Sequence, residues 1–249
     1  MLKVDIKKIS LIDKINNKTI VQDISFDLNP GKIFTILGKN GSGKSTLIKS
    51  LTMLLDRRIY STQGSAFWNG ENIFQMSAEQ LLNIRKKEIR YVLQDLTNNF
   101  DPLKKLKYYF DKTGFSIEQI SMQLKSFLLP NYDSISKLHT YEISGGMAQR
   151  LSLLLALLPK PKLIILDEPT SAVDYTNINL IKLKLKEFVT AESFALIVTQ
   201  DIAFAKEVSD EIAFLQNGKL SEFDSTDSFF NPTDENIHAG FLKSYHELE

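Results

Sequence analysis

At 249 residues, with 43% hydrophobic and 24% charged content, the chain can bury a large core and has the make-up of a globular protein of one or two subdomains. Lysine plus arginine and aspartate plus glutamate stand at 30 each, so the charge balance offers no electrostatic argument for a nucleic-acid partner or an anionic membrane surface. With no cysteine, disulfides, iron–sulfur clusters and thiolate zinc sites are excluded.

Taken in chain order, residues 1 to about 28 hold two short alternating patterns, one of them Ile24-Ser25-Phe26-Asp27-Leu28. Asn29-Pro30-Gly31 then turns into an apolar strand, Ile33 to Leu37. That strand is expected to end at Gly38 and a helix to begin near Lys44. Between them Gly38, Lys39, Asn40, Gly41, Ser42, Gly43, Lys44, Ser45 and Thr46 fit the phosphate-loop pattern G-x-x-x-x-G-K-[ST]. Glycines let the backbone turn its N–H groups onto phosphate oxygens, and the positive end of the following helix faces the anion. Lys44 is expected to reach the β- and γ-phosphates, Ser45 to place its hydroxyl on Mg²⁺, and Thr46 to add a phosphate contact.

Further on, Ser65 to Trp68 and a strand around Ile89 to Leu93 are expected to join the N-terminal patterns in an antiparallel β subdomain. From about Thr97 to Pro159 the pattern is helical, with apolar residues at helical spacing in Lys104 to Phe110 and Ile117 to Leu124. Leu163-Ile164-Ile165-Leu166-Asp167-Glu168 is an unbroken apolar run ending in two carboxylates, as a strand buried on both faces of a parallel sheet requires. Strand carboxyl ends form the binding crevice in such sheets, so Asp167 is a candidate for the Mg²⁺ shell and Glu168 for orienting and deprotonating a water. Taken alone, the same two carboxylates before Pro169 would equally begin a solvated turn. A helix near Ile178 to Phe188 follows, with lysines at 182, 184 and 186 read as a solvated face, then a strand Phe194 to Val198 and a hairpin at Gln216-Asn217-Gly218-Lys219.

Ile143-Ser144-Gly145-Gly146-Met147 precedes an apolar helix through Ala148, Leu151 and Leu155, and Asp167-Glu168-Pro169-Thr170-Ser171-Ala172-Val173-Asp174 follows it. By itself Ser144 with Gly145 and Gly146 is an ordinary helix N-cap. With the phosphate loop and Tyr91-Val92-Leu93-Gln94-Asp95 in the same order, however, the chain resembles the nucleotide-binding subunit of an ABC transporter. That resemblance implies a P-loop α/β fold, a mixed-sheet core with an antiparallel β subdomain and a helical subdomain. It implies one domain over 1–249: residues 1–94 and 160–225 as core with β subdomain, 95–159 as helical subdomain with the signature, and 226–249 as a short tail. It also implies ATP and Mg²⁺ as ligands, a second ATPase subunit whose γ-phosphate meets Ser144, Gly145 and Gly146, and Gln94 touching Mg²⁺ or the attacking water. Phe100, Leu103 and Phe110 then either line a groove for a membrane subunit or pack the helical core.

Gln94 to Pro102, and the tail from Phe229-Phe230-Asn231-Pro232 through His238 to Leu242, resemble ATPases of oligopeptide, dipeptide and nickel importers. The implied function is solute import of the peptide, nickel or metal–metallophore class through membrane permease subunits, with an extracellular binding protein as an indirect partner and no nucleic acid. An exporter ATPase or a non-transport assembly ATPase is the alternative. Two departures stand out: Ile15 where the family usually has an adenine-stacking aromatic, and Gln200 where it has a switch histidine, both favouring a heterodimer over a homodimer. The absence of a long apolar run, a start without the apolar core of a signal peptide, and a lysine-, asparagine- and isoleucine-rich composition fit a bacterial protein held peripherally at the cytoplasmic face of the cell membrane.

Overall fold

The structure, a computed structural model, describes residues 1–12, 18–93, 100–171 and 174–231. Strand β1 (Leu2–Leu11) alternates buried Leu2, Val4 and Ile6 with exposed Lys3, Asp5 and Lys7, and β2 (Thr19–Leu28) alternates likewise, so their pairing in antiparallel register turns one apolar face inward. Next come β3 (Ile33–Leu37), α1 (Lys44–Leu51), β4 (Tyr60–Trp68) and β5 (Glu71–Asn72). The four-stranded antiparallel sheet runs β2-β1-β4-β5. Helix α2 (Ala78–Lys87) starts at a capping box in which Ser77 and Gln80 satisfy each other's backbone N–H groups. It leads to β6 (Ile89–Val92).

The helical segment comprises α3 (Leu106–Thr113), α4 (Ile117–Ser126), α5 (Tyr132–Ile135) and α6 (Gly145–Leu157). The chain then alternates through β7 (Leu163–Asp167), α7 (Tyr175–Phe188), β8 (Phe194–Thr199), α8 (Ile202–Val208) and β9 (Glu211–Gln216), and closes with β10 (Lys219–Leu220), β11 (Asp224–Ser225) and α9 (Thr226–Phe230). The second sheet has the order β10-β9-β3-β8-β7-β6, with β11 on β9. Its strands β9, β3, β8, β7 and β6 are parallel. The β9–β10 hairpin turns through Asn217 and Gly218, both at positive φ, the geometry whose twist matches two antiparallel strands.

The parallel strands β3, β7 and β8 are buried throughout, and the two-residue period of the sheet divides the core. Phe34, Ile36, Leu163, Ile165, Leu196 and Val198 pack with the antiparallel sheet and α1, while Ile33, Ile164, Leu166, Ala195 and Ile197 pack with the helical segment. The mixed α/β architecture expected from sequence is therefore present. No helix among the described residues is long and apolar enough to cross a membrane.

Three expectations need correction or resolution. The strand at Ile89–Val92 belongs to the parallel sheet, with Ile89 opposite Leu163 and Val92 opposite Leu166, and is not part of the antiparallel subdomain. The helical segment that follows it is the crossover to β7, which returns that strand parallel to it. The lysines of α7 do not form one solvated face: Lys182 Nζ meets Glu207 Oε2 at 2.5 Å and Lys184 meets Glu187 at 2.8 Å, with side chains 11% and 12% exposed, whereas Lys186 is exposed. Spacing by two is a strand period, so on a helix it scatters residues around the axis. Phe100 and Phe110 are buried in the helical core, while Leu103 stands 84% exposed. Ile15, Gln94, the segment 95–99, Ala172, Val173 and the tail 232–249 lie outside the described residues.

Candidate functional site

The carboxyl end of β3 opens into the glycine-rich loop, which two contacts hold in place. Gly38 N–H donates to the carbonyl oxygen of Thr199 at 3.2 Å, and Ser42 N–H to that of Lys39 at 3.2 Å. A Cβ on Gly38 would lie 2.6 Å from the Leu215 carbonyl oxygen, and on Gly43, at φ +104°, 2.8 Å from Val21 Cγ1, so neither position admits a side chain without displacement. Helix α1 starts at Lys44 with Gly43 as its N-cap, and no side chain caps it. The first-turn N–H groups of Lys44, Ser45 and Thr46 are therefore left for another acceptor, with the helix dipole behind them.

Lys44 lies across this loop, nearly buried. Its ammonium donates to the carbonyl oxygens of Gly38 at 2.7 Å and Lys39 at 3.2 Å, and pairs with Glu168 Oε1 at 3.1 Å. Ser45 Oγ donates to Asp167 Oδ1 at 2.7 Å, joining the first turn of α1 to the end of β7. Asp167's other oxygen accepts from the Tyr91 hydroxyl at 3.0 Å. Burial first, and then the charge and hydrogen bond of Asp167, push the Tyr91 phenol far above its ordinary range, so it remains a protonated donor.

Glu168 follows β7 at φ +48°, a left-handed conformation uncommon for glutamate. Its N–H donates to the Val198 carbonyl oxygen at 2.9 Å, and its Oε2 accepts from Thr199 Oγ1 at 3.0 Å and from the Gln200 N–H at 3.1 Å. Gln200 thus reaches the site through its main chain, and its residue as a whole is exposed. Asp201 caps α8 and donates its N–H to Thr199 Oγ1, which fixes that hydroxyl as the relay to Glu168.

These groups border a cleft of about 1120 Å³, lined by Lys39 to Thr46 and Glu168 on one side and by Leu11, Ile20, Gln22 and the β9–β10 turn on the other. The donor set fits a nucleoside triphosphate: uncapped helix N–H groups and an ammonium for phosphate, with aliphatic Leu11 and Ile20 along the flank. The Ser42 hydroxyl, buried without a hydrogen-bond partner among the described residues, adds a polar group at the loop. Among the described residues no cluster of three or more His, Cys, Asp or Glu can cage a metal ion. Ser45 and Asp167 instead offer the oxygen donors that would hold a Mg²⁺ shared with phosphate.

The signature residues are elsewhere. Ser144 caps α6, its Oγ accepting from the Met147 N–H at 3.2 Å, and it is exposed with Gly145. Ser144, Gly145 and Gly146 do not line the cleft around Lys44. A Cβ on Gly146 would lie 2.5 Å from Asn177 Nδ2, and Asn177 in turn bonds both carboxylate oxygens of Asp174, the N-cap of α7. The structure thus brings together the phosphate loop, Asp167, Glu168 and Gln200's main chain, and leaves the signature apart from them. Sequence reasoning missed Tyr91 and Thr199 as partners of the two carboxylates. Tyr91 stood in the Gln94 motif and Thr199 beside Gln200, but nothing in the pattern marked their hydroxyls.

Comparison with known proteins adds four findings. Residues 21–171 match the family model described as ABC transporter. The metal-staphylopine import system ATP-binding protein of Staphylococcus aureus is 29% identical over 254 residues, covering 98% of this chain and 93% of that protein. The dipeptide transport ATP-binding protein of Caldanaerobacter subterraneus subsp. tengcongensis is 36% identical over 222 residues, covering 84% and 68% respectively. Among solved structures, the dimeric post-hydrolysis state of the ATP-binding cassette MJ0796 bound to ADP and phosphate has a TM-score of 0.74 at 22% identity, over 91% of this chain and 99% of that one, a likeness of fold.

Proposed function

The chain belongs to the ABC transporter family and is an ATPase of that family, and from that premise we propose that it drives solute import of the peptide or metal–metallophore class through a membrane permease. The constellation of Lys44, Ser45, Asp167 and Glu168 around one cleft carries the ATPase reading. The import reading is supported by relatives whose names specify metal-staphylopine import and dipeptide transport.

In this reading Lys44 and the N–H groups of residues 40 to 46 bind the β- and γ-phosphates. To do so Lys44 exchanges its bond to Glu168 for phosphate oxygen, which frees the Glu168 carboxylate to accept a proton from the attacking water. Thr199 Oγ1 and the Gln200 N–H hold the second oxygen of that carboxylate, so its direction is kept when Lys44 leaves. Ser45 and Asp167, with Gln94, are the proposed Mg²⁺ ligands, and Tyr91 fixes the orientation of Asp167. When bound, the cation neutralises charge on the transferring phosphoryl group.

Ser144, as N-cap, and Gly145 and Gly146, in the first turn of α6, form a helix end suited to a γ-phosphate held by a second ATPase subunit. A neutral glutamine at 200 cannot carry the proton or charge that a histidine supplies near neutral pH. With Ile15 in place of a stacking aromatic, this favours pairing with a different ATPase subunit at the cytoplasmic face of the membrane. Residues 95–159 serve as the helical subdomain that faces the permease.

Phosphate release by the purified chain, alone and with its co-purifying membrane subunits, tests the proposal. Transport-coupled turnover that needs Glu168 is the expected result. Recovery with soluble scaffold proteins in place of permeases would overturn the import reading, and equal turnover by a homodimer, unaffected by Gln200→Ala in the complex, would overturn the asymmetric pair.

A further inference from the structure

Gln149 lies on the apolar inner face of α6, only 4% exposed, and donates its Nε2–H to the carbonyl oxygen of Pro169. Its Oε1 is buried without a hydrogen-bond partner among the described residues. An amide in that position costs more than the leucines around it unless its bond does something the fold requires. With Val92, Leu93, Leu166, Glu168 and Ser171 it borders a cavity of about 10 Å³ directly behind the catalytic turn.

Among the described residues, three hydrogen bonds hold the main chain of that turn. Glu168 N–H donates to the Val198 carbonyl oxygen at 2.9 Å, Ser171 N–H donates to the Glu168 carbonyl oxygen at 3.2 Å, and Gln149 donates to that of Pro169. Two are backbone bonds that come with the turn and the neighbouring strand. The third comes from a side chain on a different element, and it acts on a segment whose glutamate sits at φ +48°. A left-handed glutamate persists where its surroundings over-determine it: Lys44, from α1, holds the Glu168 carboxylate, and Gln149, from α6, holds the main chain of the turn that follows.

We propose that Gln149 is a positioning residue for hydrolysis: by holding the Pro169 carbonyl it keeps the Glu168 carboxylate aimed between Lys44 and Thr199, and it ties that carboxylate to the helix capped by Ser144. The inference rests on the assignment of Glu168 to the attacking water. Gln149 follows Ser144 within the first two turns of α6, so anion capture at Ser144 and the set of the hydrolytic turn act on one rigid helix. Occupation of the partner's nucleotide site is thereby felt at this chain's own carboxylate.

The test compares Gln149→Leu, which keeps the volume and removes the donor, with the wild-type full chain together with whatever subunits its turnover requires. The expected result is a kcat lowered about 10- to 100-fold, as a displaced catalytic group gives, with ATP affinity in excess chelator and KM within about twofold of wild type. In a Glu168→Gln background the substitution produces no further fall, because it acts through Glu168. An unchanged kcat in a folded variant, a loss of ATP binding that matches the loss of kcat, or an additive fall in the double variant overturns the proposal. Should Gln149→Leu fail to fold, Gln149→Met is judged by the same criteria. A silent Glu168→Gln would overturn the assignment of Glu168 and this proposal with it, whereas a crippling Glu168→Gln beside a silent Gln149→Leu overturns this proposal alone.

Discussion

Replacing Glu168 by glutamine is nearly isosteric, yet the structure predicts that it is not neutral even before chemistry begins. Glu168 Oε1 faces the Lys44 ammonium at 3.1 Å, while Oε2 accepts from the Thr199 hydroxyl and the Gln200 N–H. An amide has one acceptor oxygen. If it faces Lys44, the NH₂ meets the Gln200 N–H; if it faces Thr199 and Gln200, the NH₂ meets the ammonium. Either way two donors confront each other in a buried site, at a cost of about 1–3 kcal/mol. The direct attraction given up is larger, ~5 kcal/mol at 3.1 Å with an effective dielectric near 20, but the relieved desolvation of the carboxylate offsets much of it. A net loss of about 2 kcal/mol lowers the melting temperature of a chain this size by roughly 4–8 °C. Nucleotide relieves the conflict, because Lys44 then turns to phosphate. ATP with a magnesium chelator therefore raises the melting temperature of Glu168→Gln by more than it raises that of the wild type. Turnover falls about 10²- to 10⁴-fold, the worth of a positioned base. Differential scanning fluorimetry and a phosphate-release assay measure the two effects. Equal melting temperatures without nucleotide and equal shifts with it would refute the Lys44–Glu168 tie, and turnover within tenfold of wild type would refute Glu168 as the base.

Tyr91→Phe removes the donor to Asp167 Oδ2 while keeping the buried ring; the expected result is a Mg²⁺ requirement raised about tenfold in steady-state ATPase titrations, as loss of an outer-shell partner gives, and an unchanged titration would sink the orienting role. Gly43→Ala meets Val21 Cγ1 at 2.8 Å from a backbone at φ +104°, so calorimetric ATP affinity should drop about tenfold or more, given a left-handed cost of roughly 1–2 kcal/mol before any clash, while circular dichroism stays native. Ser144→Ala gives up the N-cap of α6, worth about 1 kcal/mol, and leaves ATP binding to the same chain's loop intact. Sedimentation in a Glu168→Gln background should then detect loss of ATP-driven pairing, and undiminished pairing would argue against Ser144 as a phosphate contact in the opposite subunit.

Local chemistry made much of this protein readable in advance. The loop from Gly38 to Thr46 depends on backbone freedom at Gly41 and Gly43 and on the missing Cβ at Gly38, and the structure has β3 ending at Leu37 and α1 beginning at Lys44 as that spacing requires. Ser144 as a helix cap, Leu163–Asp167 as a doubly buried strand and Asn217-Gly218 as a hairpin turn were legible for the same reason: each is a preference expressed over a few neighbouring residues. Misreadings came where a local pattern has no unique spatial meaning. A strand at 89–92 can join either sheet, and lysines at every second position say nothing of which turn of a helix meets Glu207.

The sequence by itself determined the elements, the phosphate loop and the identities of the charged groups, because period, glycine placement and capping act along the chain. Tertiary structure alone decided which groups meet: Ser45 with Asp167 across 122 positions, Tyr91 with Asp167 across 76, and Gln149 with the Pro169 carbonyl across 20. Those pairings depend on strand order and on the crossover that sets β6 beside β7. Strand order is selected by burial of the whole core, a quantity summed over distant residues that no short segment contains.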